Sequence, residues 1–87
     1  MTYHVEYTPE AVRCLNKLPT KIVEQVVPFI ADILAAEPKR IGKPMRTDSG
    51  PQQWSARRTT FRILYTIDED RIVISIVRVA HRADAYR

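Results

Sequence analysis

Cysteine is nearly missing from this chain, with Cys14 standing alone among 87 residues. A single thiol closes no internal disulfide, and there is no Cys-X-X-Cys pair or Cys/His cluster at metal spacing, so no structural zinc is expected and a reducing compartment fits. Also absent is any window of about eighteen apolar residues, the length that spans a bilayer. The start, Met1-Thr-Tyr-His-Val-Glu-Tyr7, has no basic stretch leading into an apolar run. Neither a membrane span nor a leader is expected, and the chain reads as cytoplasmic. Internal repeats, low-complexity tracts and linkers are lacking too, which implies one small domain over residues 1–87. A domain of this size buries only about 60% of the surface its unfolded chain exposes, so its margin of stability is thin.

Acidic residues are too few to balance the bases of the second half. Residues 1–38 hold three Lys/Arg against five Asp/Glu, whereas residues 39–87 hold eleven against five, and the total is +4. Such asymmetry fits a partner that is a polyanion, nucleic acid foremost. It also fits a plain solvated surface, and charge alone does not choose between them.

Alternation of Tyr3, Val5 and Tyr7 with His4 and Glu6 predicts a first strand. Thr8-Pro9-Glu10 then carries a hydroxyl cap, a proline at the first helical position and an acid in the first turn, which predicts a helix start. Ala11, Cys14, Leu15 and Leu18 recur at three and four, so Cys14 is expected in the core rather than as a nucleophile. Leu18-Pro19-Thr20 ends this helix and opens a second, striped by Ile22, Val23, Val26, Val27, Ile30, Ile33 and Leu34. Inside it Pro28 lacks the N–H that would bond the Glu24 carbonyl, a loss of about 3 kcal/mol unless the helix bends, so a kink is expected there. Glu37-Pro38 stops it.

Lys39 to Arg46 reads as a basic connector, and Asp48-Ser-Gly-Pro51 as a turn. Trp54 to Arg58, Thr60 to Ile67 and Arg71 to Val79 read as three strands of an antiparallel meander, the last two joined through Asp68-Glu69-Asp70. Strand, two-helix hairpin and three strands make an α+β fold with the hairpin on one face of the sheet and the other face open.

Side chains alternate along a strand, so Phe61, Ile63, Tyr65 and Ile67 are expected in the core and Arg62, Leu64 and Thr66 on the open face. In the last strand Val73, Val77, Val79 and His81 share one parity, and Ile74, Ile76, Arg78, Ala80 and Arg82 the other. Arg62, Arg78 and Arg82 then converge on the open face if the register allows. One such arginine is commonly a surface residue snorkelling to water, but several together form a site for a phosphodiester, because guanidinium groups hold phosphate through paired hydrogen bonds. His81 and Tyr86 sit close enough in sequence to Arg82 to supply proton transfer; a half-buried structural histidine is the competing reading of His81. Trp54 is expected in the core more than as a platform for a base.

Four segments in order, Gly42-Lys-Pro-Met-Arg46, Trp54-Ser-Ala-Arg-Arg58, Phe61-Arg-Ile-Leu-Tyr65 and Ala80-His-Arg-Ala-Asp-Ala-Tyr86, resemble the RelE-like branch of the RelE/ParE superfamily of bacterial type II toxins. The resemblance runs from end to end. It implies a toxin that enters the ribosomal A site and cleaves mRNA without metal or other cofactor, the ribose 2′-hydroxyl attacking the adjacent phosphate to leave a cyclic phosphate and a 5′-hydroxyl. It also implies a RelB-like antitoxin that holds the toxin inactive in a heterodimer or heterotetramer. Carried over by position, Arg62 matches the phosphate-binding arginine, Arg82 the basic residue after the last strand and Tyr86 the C-terminal tyrosine, with His81 a second candidate for proton transfer. Arg57, Arg58, Arg78, Lys43 and Arg46 are expected to contact RNA. Counting back from Arg62 puts Gln53 and Ser55 where the best-known RelE enzyme has two lysines, and Arg57, of the same parity, is the candidate to replace part of that charge. Two other functions belong to the same superfamily: a ParE-like poison of DNA gyrase, and a degenerate toxin that only binds antitoxin and regulates an operon.

Overall fold

Helix α1 (Pro9–Lys17) starts where a hydroxyl before a proline predicts it: Thr8 is extended, and its Oγ1 accepts a hydrogen bond from the Ala11 N–H. The computed structural model describes residues 2–46, 50–58 and 60–81. Strand β1 (His4–Tyr7) precedes α1, and α2 (Thr20–Pro28) follows it. Beyond Pro28 the helix does not simply bend. The Phe29 N–H is shared between the Gln25 and Val26 carbonyls, and Phe29–Leu34 continues as a π-helical segment whose end is marked by the Ala35 N–H donating to the Ile30 carbonyl at 2.9 Å. The break expected at Pro28 therefore takes the form of a widened turn, as the missing N–H leaves the ladder free to slip by one residue.

The basic stretch after Pro38 is more structured than a connector. Its first part forms the short helix α3 (Pro38–Ile41) and its next part the edge strand β2 (Lys43–Pro44). A proline is tolerated there because an edge strand leaves one side unpaired. Then come β3 (Gln53–Arg57), β4 (Phe61–Asp68) and β5 (Val73–His81), giving a five-stranded sheet in the order β1-β5-β4-β3-β2. All neighbours are antiparallel except β1 and β5, which run parallel. The meander thus matches expectation, and the fold is α+β with one strand more than the sequence pattern announced.

The turn from β4 to β5 is fastened by Asp68, whose Oδ1 accepts from the N–H groups of Asp70 and Arg71. It ends with Ile72 at φ 56°, an unusual value for a β-branched residue. This aims the Ile72 carbonyl at β1, where the His4 N–H donates to it at 2.8 Å.

Among the described residues, helices cover one face of the sheet only. Ala11, Val26, Phe29, Ile30 and Leu34 from the helical side meet Ala56, Phe61, Ile63, Tyr65, Ile74, Ile76 and Val79 from the strands, while Cys14 and Trp54 pack partly buried against this core. Both of the latter stand where the sequence put them. The Tyr65 hydroxyl donates to the Pro38 carbonyl at 2.5 Å, tying β4 to α3, and burial pushes its pKa up to about 12. Gly42 leaves room for this ring: a Cβ there would fall on the Tyr65 hydroxyl and stand 3.1 Å from the Ser55 carbonyl oxygen.

Candidate functional site

Directly paired residues on neighbouring strands lie on one face of a sheet, so the register decides which cations meet. On the open face Arg57 of β3 is paired with Arg62 of β4, and Ser55 lies between Lys43 of β2 and Leu64 of β4. Across the next seam Leu64 is paired with Arg78 and Arg62 with Ala80. Lys43, Arg57, Arg62 and Arg78 therefore share one surface.

A β-bulge brings Arg78 there. Tyr65 pairs with Ile76 but Leu64 pairs with Arg78, leaving Val77 without a partner. The parity expected along β5 breaks at this point: Ile74 and Ile76 are fully buried on the helix side, whereas Arg78 and Ala80 turn to the open face. The bulge also sends His81 the other way, because His81 pairs with Phe61, whose ring belongs to the core. Helix α1 secures the irregularity. The Thr8 N–H donates to the Ile76 carbonyl at 3.0 Å, and the Thr8 hydroxyl reaches the carbonyls of Ile76 at 2.9 Å and Val77 at 3.3 Å. One threonine thus caps a helix and pins the bulge that sets the direction of Arg78.

The open-face cations border a groove of about 480 Å³ lined by Ile41, Lys43, Pro44, Met45, Ser55, Arg57 and Arg62. Among the described residues no carboxylate lines it. The ion pairs of the described residues lie elsewhere, between Lys39 and Glu69, Arg40 and Glu37, and Arg71 and Glu6. Arg62 is the most constrained member: its Nε is buried and has no hydrogen-bond partner among the described residues. A buried donor without an acceptor costs about 1–3 kcal/mol, and Arg57 directly opposite adds like-charge repulsion. An anion in the groove would relieve both.

The remaining candidates divide. Arg58, next to Arg57 in sequence, turns to the helix side and stacks over the Phe29 ring at 4.5 Å; Phe29 in turn meets Phe61 edge to face at 5.7 Å. Arg58 is thus parted from the open-face cations, in a second groove shared with Glu24 and Asp32. Arg46 is exposed beyond β2. Gln53 and Ser55 do lie on the open face, paired with Thr66 and Leu64. Arg82 and Tyr86 fall outside the described residues. Among the described residues no group of three or more His, Cys, Asp or Glu side chains is disposed to hold a metal ion, and no helix is long and apolar enough to cross a membrane.

Sequence reasoning overlooked two features that build the site. One is β2, whose clue was Pro44, since a residue before proline is held extended. The other is the bulge, for which the apolar run Ile72 to Val77 offers no local signal.

A family model described as the ParE toxin of type II toxin–antitoxin systems, parDE, matches residues 5–86. This chain belongs to the RelE/ParE toxin family. Toxin RelG of Mycobacterium tuberculosis is 47% identical over 87 residues, covering 100% of this chain and 99% of RelG. Toxin RelE of the same organism is 40% identical over 85 residues, covering 98% of this chain and 87% of that one. Among solved structures, the toxin–antitoxin complex RelBE2 from M. tuberculosis contains a chain that superposes with a TM-score of 0.88 at 44% identity, covering 94% of this toxin and 100% of that chain. Its likeness to RelE-named toxins places this toxin on the RelE-like side of the family.

Proposed function

We propose that this RelE-like toxin is a ribosome-dependent mRNA endoribonuclease acting in the cytoplasm. Arg62 binds the scissile phosphate with Arg82, and Arg57 and Arg78 extend the positive surface along the RNA backbone. The ribose 2′-hydroxyl attacks phosphorus, its proton passing to Tyr86, and guanidinium groups stabilise the charge that grows on the phosphate oxygens. Register favours Tyr86 over His81 for this role, because His81 pairs with Phe61 on the covered face. The observation that carries the reading is the Arg57 and Arg62 pair, two like charges face to face with a buried Nε that has no acceptor among the described residues.

A RelB-like antitoxin is the expected partner, as in the RelBE2 complex. An acidic segment that folds as it binds would neutralise the open face and add buried surface to a small domain.

Primer extension on a defined mRNA, with and without ribosomes, tests the activity. Cuts are expected only with ribosomes and are lost in Arg62→Ala. The family description also names ParE, which favours gyrase poisoning as the second reading. Intact mRNA together with gyrase-linked DNA breaks would decide for it.

A further inference from the structure

An arginine holds phosphate but does not release its proton near neutral pH, and a serine hydroxyl is a weak acid. Of the described residues that line the open-face groove, Ile41, Lys43, Pro44, Met45, Ser55, Arg57 and Arg62, only Lys43 carries a cation able both to give a proton and to take one back. Its placement is built rather than incidental. Pro44 holds Lys43 extended, pairing with Ser55 fixes its face, and Gly42 lets the backbone lie against the Tyr65 hydroxyl and the Ser55 carbonyl. Lys43 makes no ion pair among the described residues, whereas Lys39, just before it, is paired with Glu69. Ser55 lies two positions from Arg57 on β3, so Lys43 stands one row of the sheet away from the two arginines.

We propose that Lys43 is the general acid of the cleavage, protonating the 5′ oxygen as it leaves. The proposal rests on the endoribonuclease reading above. The 2′ oxygen loses its proton to the base and forms a bond to phosphorus; the bond from phosphorus to O5′ breaks, and its electron pair takes a proton from Lys43 Nζ. The products are a 2′,3′-cyclic phosphate and a 5′-hydroxyl, and Lys43 regains its proton from water. Positioned acid catalysis of this kind is worth about 10²- to 10⁴-fold.

The test uses ribosomes programmed with two synthetic mRNAs, one ordinary and one with sulfur in place of the 5′ bridging oxygen at the cut site. A thiolate leaves without being protonated. Lys43→Gln is expected to cut the ordinary RNA at least about 100-fold more slowly and the sulfur-bridged RNA at the wild-type rate. Lys43→Arg should behave like Lys43→Gln, because it restores charge but not a transferable proton. Lys21→Gln, a charge removed from the exposed side of α2, provides the reference and cuts both RNAs normally. Equal slowing on both RNAs, full activity of Lys43→Gln, or rescue of the ordinary RNA by Lys43→Arg would each overturn the proposal while leaving the endoribonuclease reading intact. Failure of the wild-type toxin to cut either RNA would overturn that reading and the proposal with it.

Discussion

The two faces of the sheet obey different rules. On the covered face Ile63, Tyr65, Ile74 and Ile76 are wholly buried, and the buried Tyr65 hydroxyl is satisfied by the Pro38 carbonyl. On the open face Arg57 and Arg62 confront each other across the ladder and the Arg62 Nε has no hydrogen-bond partner among the described residues. One face minimises the free energy of the isolated chain, and the other forgoes stability. Groups left frustrated in the free protein are the ones a ligand can satisfy.

Adjacent residues of β4 separate the two roles most sharply. Replacing Ile63 with Ala should cost about 2–5 kcal/mol, a large share of the stability of a domain this size, and an urea melt should show the midpoint fall or the transition vanish. Arg62→Ala, one residue away, removes the orphaned donor and should keep or raise the urea midpoint while cleavage drops about 10²- to 10³-fold. Equal loss of stability in both variants would mean that the two faces are not functionally distinct.

Much of this division is legible in the sequence because β4 alternates cleanly, with Phe61, Ile63 and Tyr65 against Arg62, Leu64 and Thr66, so each residue's own chemistry declares its side. Thr8-Pro9 announces the start of α1 for the same reason: cap and proline are local devices. Strand β5 hides its bulge. Ile72 to Val77 is apolar on both parities apart from Ser75, and only pairing with β4 and the grip of Thr8 reveal where the alternation slips. Strand β2 was equally hidden, being two residues long and dependent on the space that Gly42 leaves for Tyr65. Arg57 and Arg58 show the limit plainly. They are identical neighbours, yet one enters the groove and the other stacks on Phe29, a choice made by the ladder and not by composition.

The tie between Tyr65 and α3 sets a pH limit on the covered face. Burial favours the neutral phenol, so its pKa rises from 10.0 to about 12. Across that window the unfolded chain has released the proton that the folded chain retains, and stability should therefore fall as pH rises, by about 1.4 kcal/mol per unit, whereas below pH 10 the effect is absent. Chemical denaturation at a series of alkaline pH values checks the slope, and Tyr65→Phe should flatten it. Gly42→Ala acts on the same contact. With the Tyr65 hydroxyl and the Ser55 carbonyl in the way, overpacking should cost about 1–3 kcal/mol, read as a lower Tm.

Thr8 joins the faces, since it caps α1 and fastens the bulge that turns Arg78 outward. Thr8→Val removes the hydroxyl and keeps the shape. A loss of about 1–2 kcal/mol is expected from the cap, and a change in the amide resonances of Val77 and Arg78 should mark release of the bulge. A stability loss with those resonances unmoved would restrict Thr8 to the helix.

The smallest effect runs in the opposite direction and tests the contrast most directly. Arg57→Thr removes the cation facing Arg62 and puts a β-branched residue on a strand, so the free protein should gain about 0.2–1 kcal/mol. Added sulfate or phosphate should raise the Tm of the wild-type chain by the same relief, because an anion that binds only the folded state stabilises it in proportion to its occupancy. In Arg57→Thr that anion effect should shrink, as half of the frustrated pair is gone. A variant that melts lower than wild type, or responds to anions as fully as wild type does, would show that the open face is at rest without a ligand, and that its arginines are ordinary surface residues.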